Sequence, residues 1–243
     1  GLFSAVDPLF DRLFRDVYTE KTFSFPFFPV LGNHEYHRNA GAVPRLGSRD
    51  ARWRMPARRY AFVEPLAEGK NAVFVALDTT AFDSPARVTP SRDVRPPLEG
   101  VAEELAGTPA TVWRFVIGHH PPATSGAHGS SEGVLKTLCP VLAAARVDLY
   151  ITGHDHILES LAPIAGVPVV VSGGGAGWDR ATPIVRVRPE SEFRHTGGGF
   201  VRAEVTVEKA TFTFYDVDGR SLYVRTLHPN PPAPGTTPLP AKP

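Results

Sequence analysis

A single cysteine, Cys139, in 243 residues leaves no partner for an internal disulfide and no thiolate cluster for zinc. Any metal must therefore be held by His, Asn, Asp and similar ligands. An excess of charge of one sign is also lacking: 26 Lys and Arg against 25 Asp and Glu give a net charge of +1, and the pI is near 8.1. No global field of that size holds nucleic acid or an anionic membrane, so neither is expected as a partner. No apolar run approaches the roughly 20 residues that cross a bilayer, and no basic end followed by an apolar stretch opens the chain. No repeat of roughly 20–50 residues is visible. The glycines Gly173, Gly174, Gly175 and Gly177 lack the Lys-Ser/Thr and following helix of a phosphate loop. The chain opens on Gly1 rather than Met, which points to processing or to a piece of a longer protein and hides its localisation.

What is present suits one large α/β domain, with 42% hydrophobic residues enough for a substantial core. Asp7-Pro8 reads as a helix cap with Pro at the first helical position, and Leu9, Phe10, Leu13, Phe14 and Val17 recur at helical spacing, predicting an amphipathic helix over 7–18. Phe27 to Leu31 reads as a short buried strand feeding a loop, Ala72 to Leu77 as another, Leu98 to Leu105 as a short helix and Ser131 to Ala145 as a longer one. After His156 the texture turns β-branched and aromatic, in the runs Leu158–Leu161, Val167–Val171, Phe200–Val207, Ala210–Tyr215 and Ser221–Thr226. A second, β-rich sheet is expected there, with a hairpin at Asp218-Gly219. From His228 onward the Pro-rich composition predicts a disordered tail, giving a domain over 1–227 and a tail over 228–243.

Three apolar runs end abruptly in polar loops: Phe27–Leu31 in Gly32-Asn33-His34-Glu35, Phe115-Val116-Ile117 in Gly118-His119-His120-Pro121, and Leu149-Tyr150-Ile151 in Gly153-His154-Asp155-His156. Loops at the carboxyl ends of neighbouring strands converge on one crevice, so Asn33, His34, His119, His154 and His156 are candidates for a single site. Imidazole nitrogen and amide oxygen suit Zn, Fe or Mn, and His154 and His156 flank one residue, so a tight turn can aim them at two adjacent ions. His37 and His120 read as bystanders, Cys139 as core, and the run Arg45, Arg49, Arg52, Arg54, Arg58 and Arg59 as a solvated face rather than a magnet for phosphorylated substrates.

These motifs, in this order, resemble the GNH[DE], GH and GHxH motifs of the calcineurin-like metallophosphoesterases. Asp7-Pro8-x-Phe10, Leu77-Asp78-Thr79 and His128-Gly129 bring the pattern nearest to the tartrate-resistant, or purple, acid phosphatases. The resemblance implies an α/β sandwich of two mixed β-sheets flanked by helices. It implies two divalent or trivalent metal ions (Fe, Zn or Mn) and hydrolysis of phosphate monoesters, on small molecules or proteins, by a hydroxide bound to both ions. Asn33, His119 and His154 then hold one ion and His156 the other. His34 contacts the phosphate and protonates the leaving alcohol, His128 is a second substrate-side histidine, and Asp155 serves the loop. A monomer, secreted or periplasmic, is the matching expectation.

The family's Asp-x-[His/Gly] strand end, its Gly-Asp segment and the Tyr that follows it in purple acid phosphatases do not occur before Asn33. The resemblance therefore implies a fragment, nearly inactive alone. A phosphodiesterase or nucleotidase of the same superfamily, or a non-catalytic metal- or phosphate-binding module, are the rival readings.

Overall fold

The computed structural model describes residues 1–84, 98–176 and 183–231. Among the described residues ten strands form: β1 (Tyr60–Pro65), β2 (Asn71–Ala76), β3 (Thr111–Ile117), β4 (Leu149–Thr152), β5 (Leu158–Ile164), β6 (Val167–Ser172), β7 (Ser191–His195), β8 (Gly199–Val205), β9 (Ala210–Asp216) and β10 (Ser221–Leu227). The first seven make one mixed sheet in the order β1-β2-β3-β4-β6-β5-β7, and the last three an antiparallel sheet in the order β10-β9-β8. The pairs β2/β3, β3/β4 and β4/β6 are parallel. Their carboxyl ends therefore lie along one edge, and the loops that begin at Leu77, Gly118 and Gly153 leave the sheet side by side.

Alternation explains why this sheet is covered on both faces. On β3 and β4, Phe115 and Leu149 pack toward the second sheet with Trp113, Val170, Phe212 and Phe214. The intervening Val116 and Tyr150 pack on the other face with Val75, Leu105, Leu138 and Leu142. That second face is capped by α2 (Val101–Ala106) and α3 (Cys139–Ala144), while α1 (Thr80–Asp83) follows β2 directly. A π-type turn, Val134–Leu138, runs into α3, so the expected long helix over 131–145 is present with one widened turn.

Several sequence expectations are modified. The segment 7–18 forms only a short helical stretch with a π-type turn at Asp11–Arg15. Asp7 does act as the expected cap, its carboxylate accepting from the Leu9 amide at 3.0 Å. Phe10 and Phe14 are buried, stacked at 5.2 Å with Trp53 edge-on to both, but Leu13 and Val17 of the same apolar pattern are exposed. Phe27 to Leu31 is no ladder strand; Phe27 makes an isolated parallel bridge to Trp53. Pro26 and Pro29, which have no N–H to donate, prevent a continuous ladder there. The runs Leu158–Leu161 and Val167–Val171 join the first sheet rather than a second one. The hairpin at Asp218-Gly219 forms as expected, with Gly219 at φ +79°. Residues at the start of the expected tail are pinned: the Asn230 amide donates to Asp148 at 2.6 Å, and residues 232–243 lie outside the described ones.

Asp148 is buried at the foot of β4, where its carboxylate also accepts from the Arg114 amide at 2.7 Å. Burial pushes its pKa up to about 6, against the lowering effect of those two amides and the Arg114 charge. The folded chain thus holds this proton more tightly than the unfolded one, so the contribution is full below about pH 4 and is lost as pH rises to about 6. Asp148→Asn removes that slope: relative to wild type, the variant is expected to gain about 2–3 kcal/mol in stability at pH 7 compared with pH 4. Urea denaturation at the two pH values measures this difference, and equal differences for both proteins would exclude a raised Asp148.

Candidate metal centre

The loops leaving β3 and β4 bring His119, His120 and His154 together, with one ring nitrogen of each within 4.8 Å of the others. His119 Nε2 lies 3.0 Å from Asn33 Oδ1 and 3.1 Å from His154 Nδ1. Neutral donors at such spacing fit an ion, because two ligands each about 2.1 Å from a metal at near-right or tetrahedral angles stand about 3.0–3.4 Å apart. His156 and His128 extend the row: the His128 ring centroid is 5.0 Å from that of His154 and 4.8 Å from that of His156. His34, at the head of the 3-10 turn Glu35–His37, has its ring 5.2 Å from His37 and is near enough to act electrostatically on His119 and His156.

Glycine opens the room for these rings. A Cβ on Gly32 would stand 2.7 Å from the His119 ring, and one on Gly118 would stand 2.4 Å from the Tyr150 hydroxyl. His154 has φ +64°, a left-handed conformation that costs a non-glycine residue energy and that concentrates at functional sites. Asp155 is fully buried; its Oδ1 accepts from the His128 amide at 2.9 Å and lies 3.3 Å from His128 Nδ1. It holds the 126–128 loop, and Gly126 leaves the space its carboxylate occupies.

Burial is also the main influence on the imidazoles. It pulls the pKa of His119 down to about 3, with the charges of His120, His154 and His34 adding to the effect. His154 and His156 are lowered as well, by burial first and then by His128. All three stay neutral, in the form that ligates, at pH values where an ordinary imidazole is charged.

His120, set aside on sequence grounds, is fully buried inside this group. Its Nδ1 is 2.9 Å from Thr79 Oγ1, and Thr79 Oγ1 also accepts the amides of His119 at 3.1 Å and His120 at 3.0 Å. The Thr79 hydroxyl therefore fixes both histidines from the neighbouring strand end. Thr79→Val is expected to cost about 2–4 kcal/mol, because it leaves buried polar groups unpaired, whereas Thr79→Ser retains most of the stability. Equal unfolding midpoints for Val and wild type would show that the hydroxyl does not hold this loop.

Behind the site, the Tyr36 hydroxyl donates to Asp78, and Arg58 donates to the Tyr36 oxygen at 3.0 Å. Burial raises the Asp78 pKa despite these partners. The turn after His34 is thereby tied to the end of β2.

Residues 4–158 match the model of the calcineurin-like phosphoesterase family. Purple acid phosphatase 3 of Arabidopsis thaliana is 34% identical over 239 residues, covering 92% of this chain, and the chain spans 64% of that relative's length. Tartrate-resistant acid phosphatase type 5 of Mus musculus is 30% identical over 249 residues, covering 95% of this chain and 76% of its own length. Among solved structures, GAP50, described as the anchor in the inner membrane complex of Plasmodium, superposes with a TM-score of 0.84 at 24% identity, covering 96% of this chain and 76% of that one.

Proposed function

Because the chain belongs to the calcineurin-like phosphoesterase family, we propose that it supplies most of the active site of a metal-dependent phosphomonoesterase of the purple acid phosphatase type. The observation that carries this reading is the convergence of His119 Nε2, His154 Nδ1 and Asn33 Oδ1 at 3.0–3.1 Å. In this reading Asn33, His119 and His154 hold one ion and His156 helps to hold a second, in a set of donors that suits Zn, Fe or Mn. The ions, when bound, supply Lewis acidity and activate water for attack on phosphorus.

The chain's own groups do the rest. Thr79 and the glycines fix the ligand rings, and burial keeps them neutral. His34, carried on its own turn beside the cluster, contacts the phosphoryl group and gives a proton to the leaving alkoxide. His128, held by Asp155 and about 39% exposed on its side chain, faces the substrate side. The substrate is a phosphate monoester of a small molecule or protein.

A second reading has one observation in its favour. Among the described residues, the His, Cys, Asp and Glu side chains that converge closely enough to hold an ion are three histidines and no carboxylate. A non-catalytic metal- or phosphate-binding module fits that set too, and fold alone does not separate it from an enzyme. Metal content per chain and turnover of a generic aryl phosphate, measured for wild type, His34→Ala and His154→Ala, decide the matter. Two metals with turnover that both variants lose support the hydrolase; bound metal without turnover, including in a longer form of the protein, supports the module. Preference for diesters over monoesters would reassign the substrate class.

A further inference from the structure

Three arginines of the run at 45–59 are consumed by structure. Arg49 pairs with Asp11, Arg52 is buried against Asp50, and Arg59 pairs with Glu104. Arg45 and Arg58 have no carboxylate partner in an ion pair among the described residues, yet each is held in place. Arg45 Nε donates to the Gly41 carbonyl at 3.1 Å, and Arg58 Nη1 donates to the Tyr36 hydroxyl at 3.0 Å. In both residues this leaves Nη2 turned toward the same small space, the one a side chain on Gly41 would fill. A Cβ there would stand 3.9 Å from Arg45 Nη2 and 4.0 Å from Arg58 Nη2, with Asn39 Oδ1 at 3.3 Å. Arg45 is exposed and Gly41 and Arg58 are half-buried, so the notch opens to solvent.

Two anchored guanidinium groups facing one gap present several N–H donors and two positive charges to whatever enters. The ligand that answers both is an oxyanion with oxygens on more than one side, because planar guanidinium forks match phosphate geometry. Their anchoring lowers the ordering cost of binding. Asp78 meets Arg58 through the Tyr36 hydroxyl, which donates to Asp78 and accepts from Arg58, and the two charges also act on each other. Gly41 lacks a positive φ, so its want of a side chain is not required by the backbone.

We propose that the notch over Gly41, between Arg45 and Arg58, is a binding site for a phosphate-type oxyanion, either free phosphate or a second phosphoryl group on a substrate. The site is built without any residue of the histidine cluster, and its test does not depend on hydrolysis.

Inorganic phosphate and then pyrophosphate are titrated into the metal-stripped chain at low ionic strength, where charge attraction is least screened, and followed by calorimetry. Wild type is expected to bind phosphate saturably, and Arg45→Gln and Arg58→Gln each to weaken it about tenfold, the loss of one charge-assisted contact. Gly41→Asp, which places a carboxylate in the notch, is expected to abolish binding and to melt at a higher temperature than wild type. Pyrophosphate binding that exceeds phosphate binding identifies a ligand with a second phosphoryl group; equal binding of the two anions identifies free phosphate, and either upholds the site. Phosphate affinity unchanged in all three notch variants, or a Gly41→Asp protein that binds phosphate as wild type does, overturns it. Because the chain is metal-free throughout, that failure leaves the hydrolase reading standing, and loss of turnover in the loaded protein leaves the notch standing.

Discussion

His154→Ala is expected to lower affinity for zinc or manganese by more than about 100-fold, beyond the roughly 10–100-fold that loss of an outer-shell partner costs, and to abolish aryl phosphate turnover. His154→Gly is expected to do the same while making the metal-free chain more stable. The reason lies in the backbone. His154 sits at φ +64°, which costs a residue with a Cβ on the order of 1 kcal/mol and costs glycine almost nothing. Part of that gain is offset by the greater freedom of glycine in the unfolded chain, so a net rise of about 0.5 kcal/mol is the expected size. The strain has a structural return: it swings the ring into contact with His119, at 3.1 Å, rather than out along the strand. Metal competition titrations and urea denaturation without metal read the two effects separately. A Gly variant that keeps wild-type metal affinity would remove His154 from the ligand set.

Metal is expected to stay bound as the solution is acidified to well below pH 6.5, the point at which ordinary imidazoles begin to be lost to protons. A ligand surrenders its metal when it takes a proton instead. Burial draws His119 to about 3 and lowers His154 and His156 in the same direction, so the ligating form persists further into acid. Without metal the same shifts carry a stability cost of opposite sense to that of Asp148. The unfolded imidazole takes up its proton near 6.5 and the folded His119 near 3, so the unfolded state binds more protons in between. The contribution is complete above about 6.5 and is lost as pH falls toward 3. Allowing for solvent near a site that is only partly enclosed, the loss is roughly 2–4 kcal/mol. Metal content measured after equilibration from pH 7 down to pH 4 tests the first statement, with a release midpoint near 6.5 contradicting it. His119→Gln in the metal-free chain tests the second by flattening the acid limb.

The parallel core of the sheet was legible because its strands are buried on both faces and read as unbroken apolar runs. Ala72 to Leu77, Phe115 to Ile117, Leu149 to Ile151 and Val167 to Val171 were all visible in that way. The edges were not. β1 and β7 are half exposed, and neither offers the run or the clean alternation that marks a strand. The assignment of β5 and β6 to a second sheet failed for a related reason: aromatic and β-branched texture predicts strands but says nothing of which sheet they join. Within the site, the Gly-His loops pointed to His119, His154 and His156, and the Asn33 loop was found although the segment before it forms no ladder strand. What sequence could not give was His120 and Thr79, whose roles depend on a contact between strand ends 41 residues apart. The positive φ of His154 was likewise invisible, since nothing in the residue type announces it.

The donors that face one another come from distant parts of the chain: Asn33 and His119 are 86 residues apart, and His119 and His154 are 35 apart. An ion held by all three would close two loops at once in a protein whose single cysteine can close none. In the unfolded ensemble such a tie removes conformational freedom in the manner of a covalent bridge, and more so for longer loops. Chelation would then act on this chain as reduction acts on a disulfide-bonded one, and a protease cut between residues 33 and 119 would leave the two pieces riveted together until the metal is withdrawn.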